Sequence, residues 1–152
     1  MRECMESGRA FGVVHFSGEA KSSELVRAPK LLTAERITAE MTSFVGGGTR
    51  FVPPIDMATK LIHDESSLHD ADVVLITDAE STEVERDMDS LRAAVSRLRK
   101  EHARVWGVAV GTSASVQPFL EVCDSAVHIP SSENASDELA LHIGSVLIGG
   151  GK

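Results

Sequence analysis

The chain has 152 residues, of which 42% are hydrophobic and 25% charged, so it is long enough for one domain with a buried core and too short for two large ones. Its formal net charge of −8 and its lack of Tyr are unfavourable for binding nucleic acid. No apolar run is long enough to span a bilayer, and Cys4 and Cys123 have neither metal-site nor disulfide-framework spacing. We therefore expect one cytoplasmic domain over residues 1–152 that does not bind nucleic acid and does not span a membrane.

The first half of the chain predicts a hairpin followed by two helices. Ser17-Gly18 is a turn signal between two apolar segments, and the second segment is expected to be antiparallel to the first. A glycine run ends the first helix, and a pair of prolines opens the second. The predicted elements are a strand over 11–16, a strand within 20–27, a helix from Thr33 to the glycines at 46–48, and a helix from Pro53 through Ile62.

The second half alternates strand-length apolar runs with segments of helical period. The predicted elements are a strand over 71–77, a helix over 82–102, a strand over 104–111, a short helix over 115–123, a strand over 126–129 and a helix over 136–148. The segment 71–77 is almost entirely apolar in its middle, as is typical of a central parallel strand. This alternation predicts an α/β fold: a doubly wound, Rossmann-like, mostly parallel sheet with helices on both faces.

Polar residues that follow the predicted strands are the candidates for a functional site, because ligands of open parallel sheets bind beyond the carboxyl ends of the strands. Ser17 follows the first strand and Asp78 follows the strand 71–77. Thr49, preceded by Gly47 and Gly48, lies between two helices in a loop that can reach the same edge. A hydroxyl and a carboxylate are hard oxygen ligands of the kind that Mg²⁺ prefers, so the sequence predicts a divalent-cation site at this edge.

Four segments resemble the von Willebrand factor type A (VWA) domain, specifically its intracellular prokaryotic type. They occur in the family's order within residues 9–130 and read RAFGVVHFS at 9–17, FVGGGTRF at 44–51, DVVLITD at 72–78 and VWGVAVG at 105–111. The resemblance implies a metal-ion-dependent adhesion site (MIDAS) in which Thr49 and Asp78 are ligands, with Gly47, Gly48 and Ser17 in the surrounding loops. The cation implied is Mg²⁺ or Mn²⁺.

The sequence departs from the family pattern at one point, because it contains no Asp-x-Ser-x-Ser loop. In the family that loop follows the innermost strand, and residues 1–8 here look like the last turn of the helix after it. We therefore expect the chain to be the C-terminal portion of a longer domain, with a flexible tail at 149–152. A missing central strand would leave a gap in the sheet, which predicts a homodimer or an exchange of strands. It also predicts weak or absent metal binding by this chain alone.

Three classes of function fit these residues. The first is a non-catalytic binding or adaptor module, whose metal is completed by a carboxylate of a protein partner; the resemblance implies a MoxR-type AAA+ ATPase as a co-worker. The second is a metal-dependent enzyme that uses Asp78 in phosphoryl transfer or nucleotide hydrolysis, although the chain lacks the phosphate-binding loop of nucleotide hydrolases. The third is a structural fragment used for oligomerisation. The first class is the hypothesis we favour.

Overall fold

The computed structural model describes residues 9–26, 49–77, 88–110 and 116–130. Its elements, in chain order, are β1 (Phe11–Phe16), β2 (Ala20–Val26), α1 (Val52–Asp64), a 3₁₀ turn (Ser66–Leu68), β3 (Val73–Thr77), α2 (Met88–Lys100), β4 (Val105–Val110), α3 (Val116–Val122) and β5 (Ser125–Ile129). Each described strand and α-helix agrees in type with the element that the sequence predicts there, and the described bounds lie within a few residues of the predicted ones. The 3₁₀ turn is not among the predicted elements, and the predicted start of α2 lies outside the described residues.

The described strands form two sheets. β1 and β2 pair antiparallel as a hairpin, with an irregularity in register between Val13 and Val14. β3, β4 and β5 form a parallel sheet in that order, so β4 is the strand with a neighbour on each side. Parallel strands joined by crossover helices confirm the predicted Rossmann-like α/β class.

The core lies between α1, α2 and one face of the parallel sheet. Leu91, Val95 and Leu98 recur on α2 at spacings of four and three, so they share one face of the helix, and they are almost fully buried. Leu75 of β3 and Val105 of β4 belong to the same buried cluster. Burying this apolar face is the main reason for α2 to be a helix here, because a helix of this length is marginal by itself in water.

Helix α1 connects the two sheets through this core. Its residues Ile55 and Ile62 are buried in the cluster that contains Leu75 and Val105. On its other side Leu61 lies against β1, where a Cβ on Gly12 would be 3.8 Å from the Leu61 Cδ1. The hairpin and the parallel sheet therefore share one hydrophobic core although no strand ladder joins them in the described part of the chain.

Strand β3 differs in one respect from a fully enclosed strand. Leu75 and Thr77 are buried on the face that meets the helices, whereas Ile76, on the opposite face, is 43% exposed. β4 is buried along most of its length, including Val108 beside Ile76 in the register. In the described parallel sheet, the exposed large apolar side chain therefore lies on the edge strand β3.

Several sequence predictions lie outside the described residues. They are the helix from Thr33 to the glycine run, the N-terminal part of the helix predicted over 82–102, the helix over 136–148, the last turn of a helix at 1–8 and the tail at 149–152. Among the helices that the structure describes, none is long and apolar enough to cross a membrane.

Candidate functional site

The loop that carries Thr49 is joined to the end of β1. The backbone N–H of Arg50 donates a hydrogen bond to the carbonyl oxygen of Ser17, with an N···O distance of 2.8 Å. Thr49 itself forms an isolated β-bridge and is half-buried, and Ser17 is 7% exposed. Two of the segments predicted to meet at the carboxyl edge of the sheet, the one after β1 and the one around Thr49, are therefore in contact.

An aromatic pair lies directly beside this hydrogen bond. The rings of Phe16 and Phe51 meet edge to face, with centroids 6.2 Å apart and an interplanar angle of 60°. Phe51 is completely buried and belongs to the hydrophobic core, and Phe16 packs against that core. The two segments thus make two contacts: a backbone hydrogen bond between Arg50 and Ser17 and a ring contact between Phe51 and Phe16.

Phe51 also begins α1. It is the N-cap residue of that helix, and its carbonyl oxygen accepts a hydrogen bond from the Ile55 N–H at 3.3 Å. Pro53 and Pro54 follow in the first turn, where proline is favoured because it has no N–H to leave unsatisfied and its φ is already helical. The segment that carries Thr49 is therefore fixed on its C-terminal side by the start of a helix.

The third segment of the predicted site is the end of β3. Thr77, its last residue, is 8% exposed and pairs in register with Ala109 of β4. Asp78 is the next residue, so it follows the carboxyl end of a parallel strand as the sequence predicts, but it lies outside the described residues. Gly47 and Gly48 lie outside them as well.

The described residues at this edge do not form a magnesium site by themselves. Ser17 and Thr49 supply hydroxyls from neighbouring segments, which are suitable neutral ligands for a hard cation. In the ranges that the structure describes, no group of three His, Cys, Asp or Glu side chains is arranged to hold a metal. A cation at this edge would therefore need a carboxylate from outside those ranges, and Asp78 is the carboxylate that the sequence places there.

An ion pair links the amino ends of β3 and β4, at the edge of the parallel sheet opposite to the carboxyl ends. Arg104, just before β4, donates to both carboxylate oxygens of Asp72, just before β3, at 3.1 and 2.8 Å. These hydrogen bonds, together with the negative charge of Asp72, raise the pKa of Arg104 above its ordinary value. The amino ends of two parallel strands are thus linked on the surface, away from the candidate site.

Asp124 links the amino ends of β4 and β5 in the same manner. Its Oδ2 accepts a hydrogen bond from the Val105 N–H at 2.8 Å, and its Oδ1 lies 2.8 Å from Nη2 of Arg99 at the end of α2. Its own N–H donates to the Val105 carbonyl at 2.9 Å. One aspartate therefore holds two strands and a helix together.

The thiol of Cys123 is protonated and unreactive at neutral pH. Burial chiefly, and the neighbouring Asp124 charge secondarily, raise its pKa to about 12. Since the thiolate is the nucleophilic form, the protonated thiol at neutral pH is inert. The half-buried Cys123 side chain packs against the hydrophobic core, whereas Cys4 lies outside the described residues.

Ser17 and Thr49 are candidates in the sequence, whereas the residues that join their two segments are not. Phe16, Arg50 and Phe51 each stand next to a predicted site residue or one position beyond it. The sequence feature that could have indicated their role is the presence of one phenylalanine next to each polar loop, Phe16 before Ser17 and Phe51 after Arg50. The pattern alone does not indicate that these rings are in contact.

Comparison with known proteins defines the fold. No family model matches the chain. Over 50 residues it is 36% identical to the uncharacterized protein MJ0811 of Methanocaldococcus jannaschii, a match that spans 33% of this chain and only 11% of that protein. The chain is also similar to the crystal structure of the SpRpn10 VWA domain, with a TM-score of 0.69 and 18% identity, covering 93% of this chain and 76% of that one. The chain therefore has a VWA-type fold, as its resemblance to that family implied.

Proposed function

We propose that this chain, whose fold is of the VWA type, is a non-catalytic protein-binding module that works in the cytoplasm. Its binding surface is the carboxyl edge of the strands, where Thr49 and Asp78 hold a divalent cation, Mg²⁺ or Mn²⁺. The observation that supports this most is the hydrogen bond from Arg50 to Ser17, which brings Thr49 to the end of β1. Gly47 and Gly48 then allow the preceding backbone to approach the cation closely.

The chemistry of the ligands explains why this site suits recognition. One hydroxyl and one carboxylate neutralise only part of the charge of a divalent cation and fill only part of an octahedron. The remaining positions attract a carboxylate from a second protein, so that the cation joins the two surfaces. In this role the module serves as an adaptor, and the family resemblance implies a MoxR-type AAA+ ATPase as its partner.

We expect weak cation binding by the chain alone, with a dissociation constant of about a millimolar, because few of the ligands are charged. Titration with Mn²⁺, followed by the relaxation of water protons, measures binding in this range. Asp78→Asn should abolish the binding, and Thr49→Val, which replaces the hydroxyl by a methyl group, should weaken it. Asp70→Asn removes an exposed carboxylate next to the 3₁₀ turn and should change nothing.

Two results would contradict the proposed site. Micromolar affinity in isothermal calorimetry would mean that the chain supplies more ligands than proposed. Equal affinity of the wild-type chain and Asp78→Asn would place the cation elsewhere.

The chain is also proposed to form a homodimer or to exchange strands between copies. This rests on the exposed Ile76 of β3 and on the division of the described strands into two sheets. A large apolar side chain exposed on an edge strand of the described parallel sheet favours association. Sedimentation velocity at micromolar concentration should show a dimer, and Ile76→Lys should shift it toward the monomer. A compact wild-type monomer would exclude this arrangement.

A further inference from the structure

The parallel sheet has a second apolar face, which lies opposite to the core that contains α1 and α2. Successive side chains of a strand point to opposite faces, so the core residues Val105 and Ala109 of β4 place Val108 on the other side of the sheet. Residues paired in register share a face, which extends this surface to β3 and β5. We define the second face by six residues: Val74, Ile76, Trp106, Val108, Val127 and Ile129.

The second face is buried unevenly. Val108 is 2% exposed and Ile129 is 1% exposed, although neither belongs to the cluster that α1 and α2 form with the sheet. The described helices each contribute buried side chains to that cluster, so their apolar sides are already occupied. Ile76, on the edge strand β3, is 43% exposed. A cover over this face would therefore lie on β4 and β5 rather than on β3, because apolar surface is unfavourable in water.

Trp106 marks the amino end of the second face. Its indole Nε1 is buried and makes no hydrogen bond within the part of the chain that the structure describes. Arg104 lies over the ring, with its Cζ 5.4 Å from the ring centroid. A buried N–H ordinarily has an acceptor, and the carbonyls in the last turn of a helix have no partner within that helix. The end of a helix placed here would supply the acceptor.

The segment that follows β5 begins next to this face. β5 ends at Ile129, which is itself part of the second face, and the chain continues as residues 131–152. Residues 131–135 precede the predicted helix 136–148, and connections of this length are typical between a strand and a helix. A helix over 136–148 is about 20 Å long, and so is the strand β4. The segment thus starts at the carboxyl edge of the sheet and matches the sheet in length.

The same segment has the pattern of an amphipathic helix. Leu139, Ile143 and Leu147 recur every four residues, and Val146 adjoins them on the same side of a helix. A helix of this length is marginal by itself in water, so its apolar side needs a surface to pack on. The second face is the matching apolar surface within the described residues.

We propose that residues 136–148 dock as a helix on the second face and cover β4 and β5. The helix runs from the carboxyl edge of the sheet toward the amino edge, so its last turn comes over Trp106 and its carbonyls accept the indole N–H. Ile76 stays outside this cover, which leaves β3 as the exposed part of the face. The inference is independent of the proposed cation site, because none of these residues belongs to that site.

Nuclear Overhauser effects between methyl groups of the full chain test the docking directly. We expect cross-peaks from the Ile143 methyls to those of Val108 and Ile129, and none to those of Leu98 in the other core. Cross-peaks of Val108 with residues 1–8 in place of Ile143 would assign the cover to the other end of the chain and overturn the proposal. In a mixture of labelled and unlabelled chains, cross-peaks between copies would assign it to a second copy and overturn it as well. The complete absence of cross-peaks between residues 136–148 and Val108 has the same meaning.

Fluorescence of Trp106 gives a second readout, because the chain contains one tryptophan. Ile143→Asp puts a charge on the apolar side of the segment and should release it, so that the acrylamide quenching constant rises about twofold or more. Ser145→Asp introduces the same charge on the opposite side of the helix and is the matched control, with quenching expected at the wild-type value. Unchanged Leu98 methyl signals show that the other core is intact; if Ile143→Asp shifts them, the wild-type cross-peaks decide. Equal quenching in the two variants would contradict the docking.

Discussion

Replacing Asp124 by alanine is expected to lower the free energy of unfolding by about 2 kcal/mol. The carboxylate accepts a hydrogen bond from the Val105 N–H, whose residue is completely buried, and pairs with Arg99. Alanine removes both interactions and leaves the backbone donor without this acceptor. Urea denaturation followed by circular dichroism measures the difference directly.

Two variants separate the hydrogen bond from the surface charge. Asp124→Asn keeps one oxygen that can accept from Val105, so it should cost less than half as much as alanine. Asp89→Ala removes another Arg–Asp pair, that between Arg92 and Asp89, in which the Asp89 side chain is 95% exposed. Its expected cost is below about 0.5 kcal/mol. Equal losses in Asp124→Ala and Asp89→Ala would show that Asp124 has no structural role beyond its charge.

Leu98→Ala should have a larger effect, a loss of about 3 kcal/mol. Leu98 is completely buried and belongs to the same hydrophobic cluster as Leu75 and Val105. Truncation removes apolar contacts and leaves a cavity, because the surrounding helices and strands relax only in part. The same denaturation experiment should show a large fall in the midpoint concentration with little change in slope.

Ile76→Ala is the matched comparison for this core substitution. Ile76 is a similar apolar residue that is 43% exposed, so truncating it should cost less than about 1 kcal/mol in the monomer. A cost for Leu98→Ala as small as that for Ile76→Ala would mean that α2 does not depend on the sheet for its stability.

The elements of this fold are predictable because their signals are local. The run from Val73 to Thr77 and the spacing of Leu91, Val95 and Leu98 reflect strand and helix periods within a few residues. The grouping of the strands into two sheets is a non-local property, since it depends on which edges approach after α1 packs. For this reason the class of the fold is predictable from the sequence, whereas the placement of β1 and β3 in different described sheets is evident only from the three-dimensional structure.

The candidate site shows the same division. The sequence predicts that the segment after β1 and the Thr49 segment come together, and the Arg50–Ser17 hydrogen bond shows that they are in contact, although β1 belongs to the hairpin and not to the described parallel sheet. The contact between Phe16 and Phe51 is not predictable in this way, because the sequence does not indicate which aromatic residues pack against each other. The ligand roles of Thr49 and Asp78 stay predictions.

The parallel order of β3, β4 and β5 has a consequence for the growing polypeptide. The β1–β2 hairpin has only neighbouring segments to pair and can form in about 1–10 μs. The parallel sheet lacks β5 until roughly a hundred further residues have been added, which takes about 5–20 s at ribosomal rates. Only in the last part of that interval, the about 1–4 s in which the residues from the end of β4 to the end of β5 are added, is β4 present as a sheet edge whose Val105 N–H lacks its Asp124 acceptor. A nascent chain that has left the ribosome only as far as Cys123 therefore displays an apolar strand edge, the kind of surface on which a chaperone or a second nascent chain can bind.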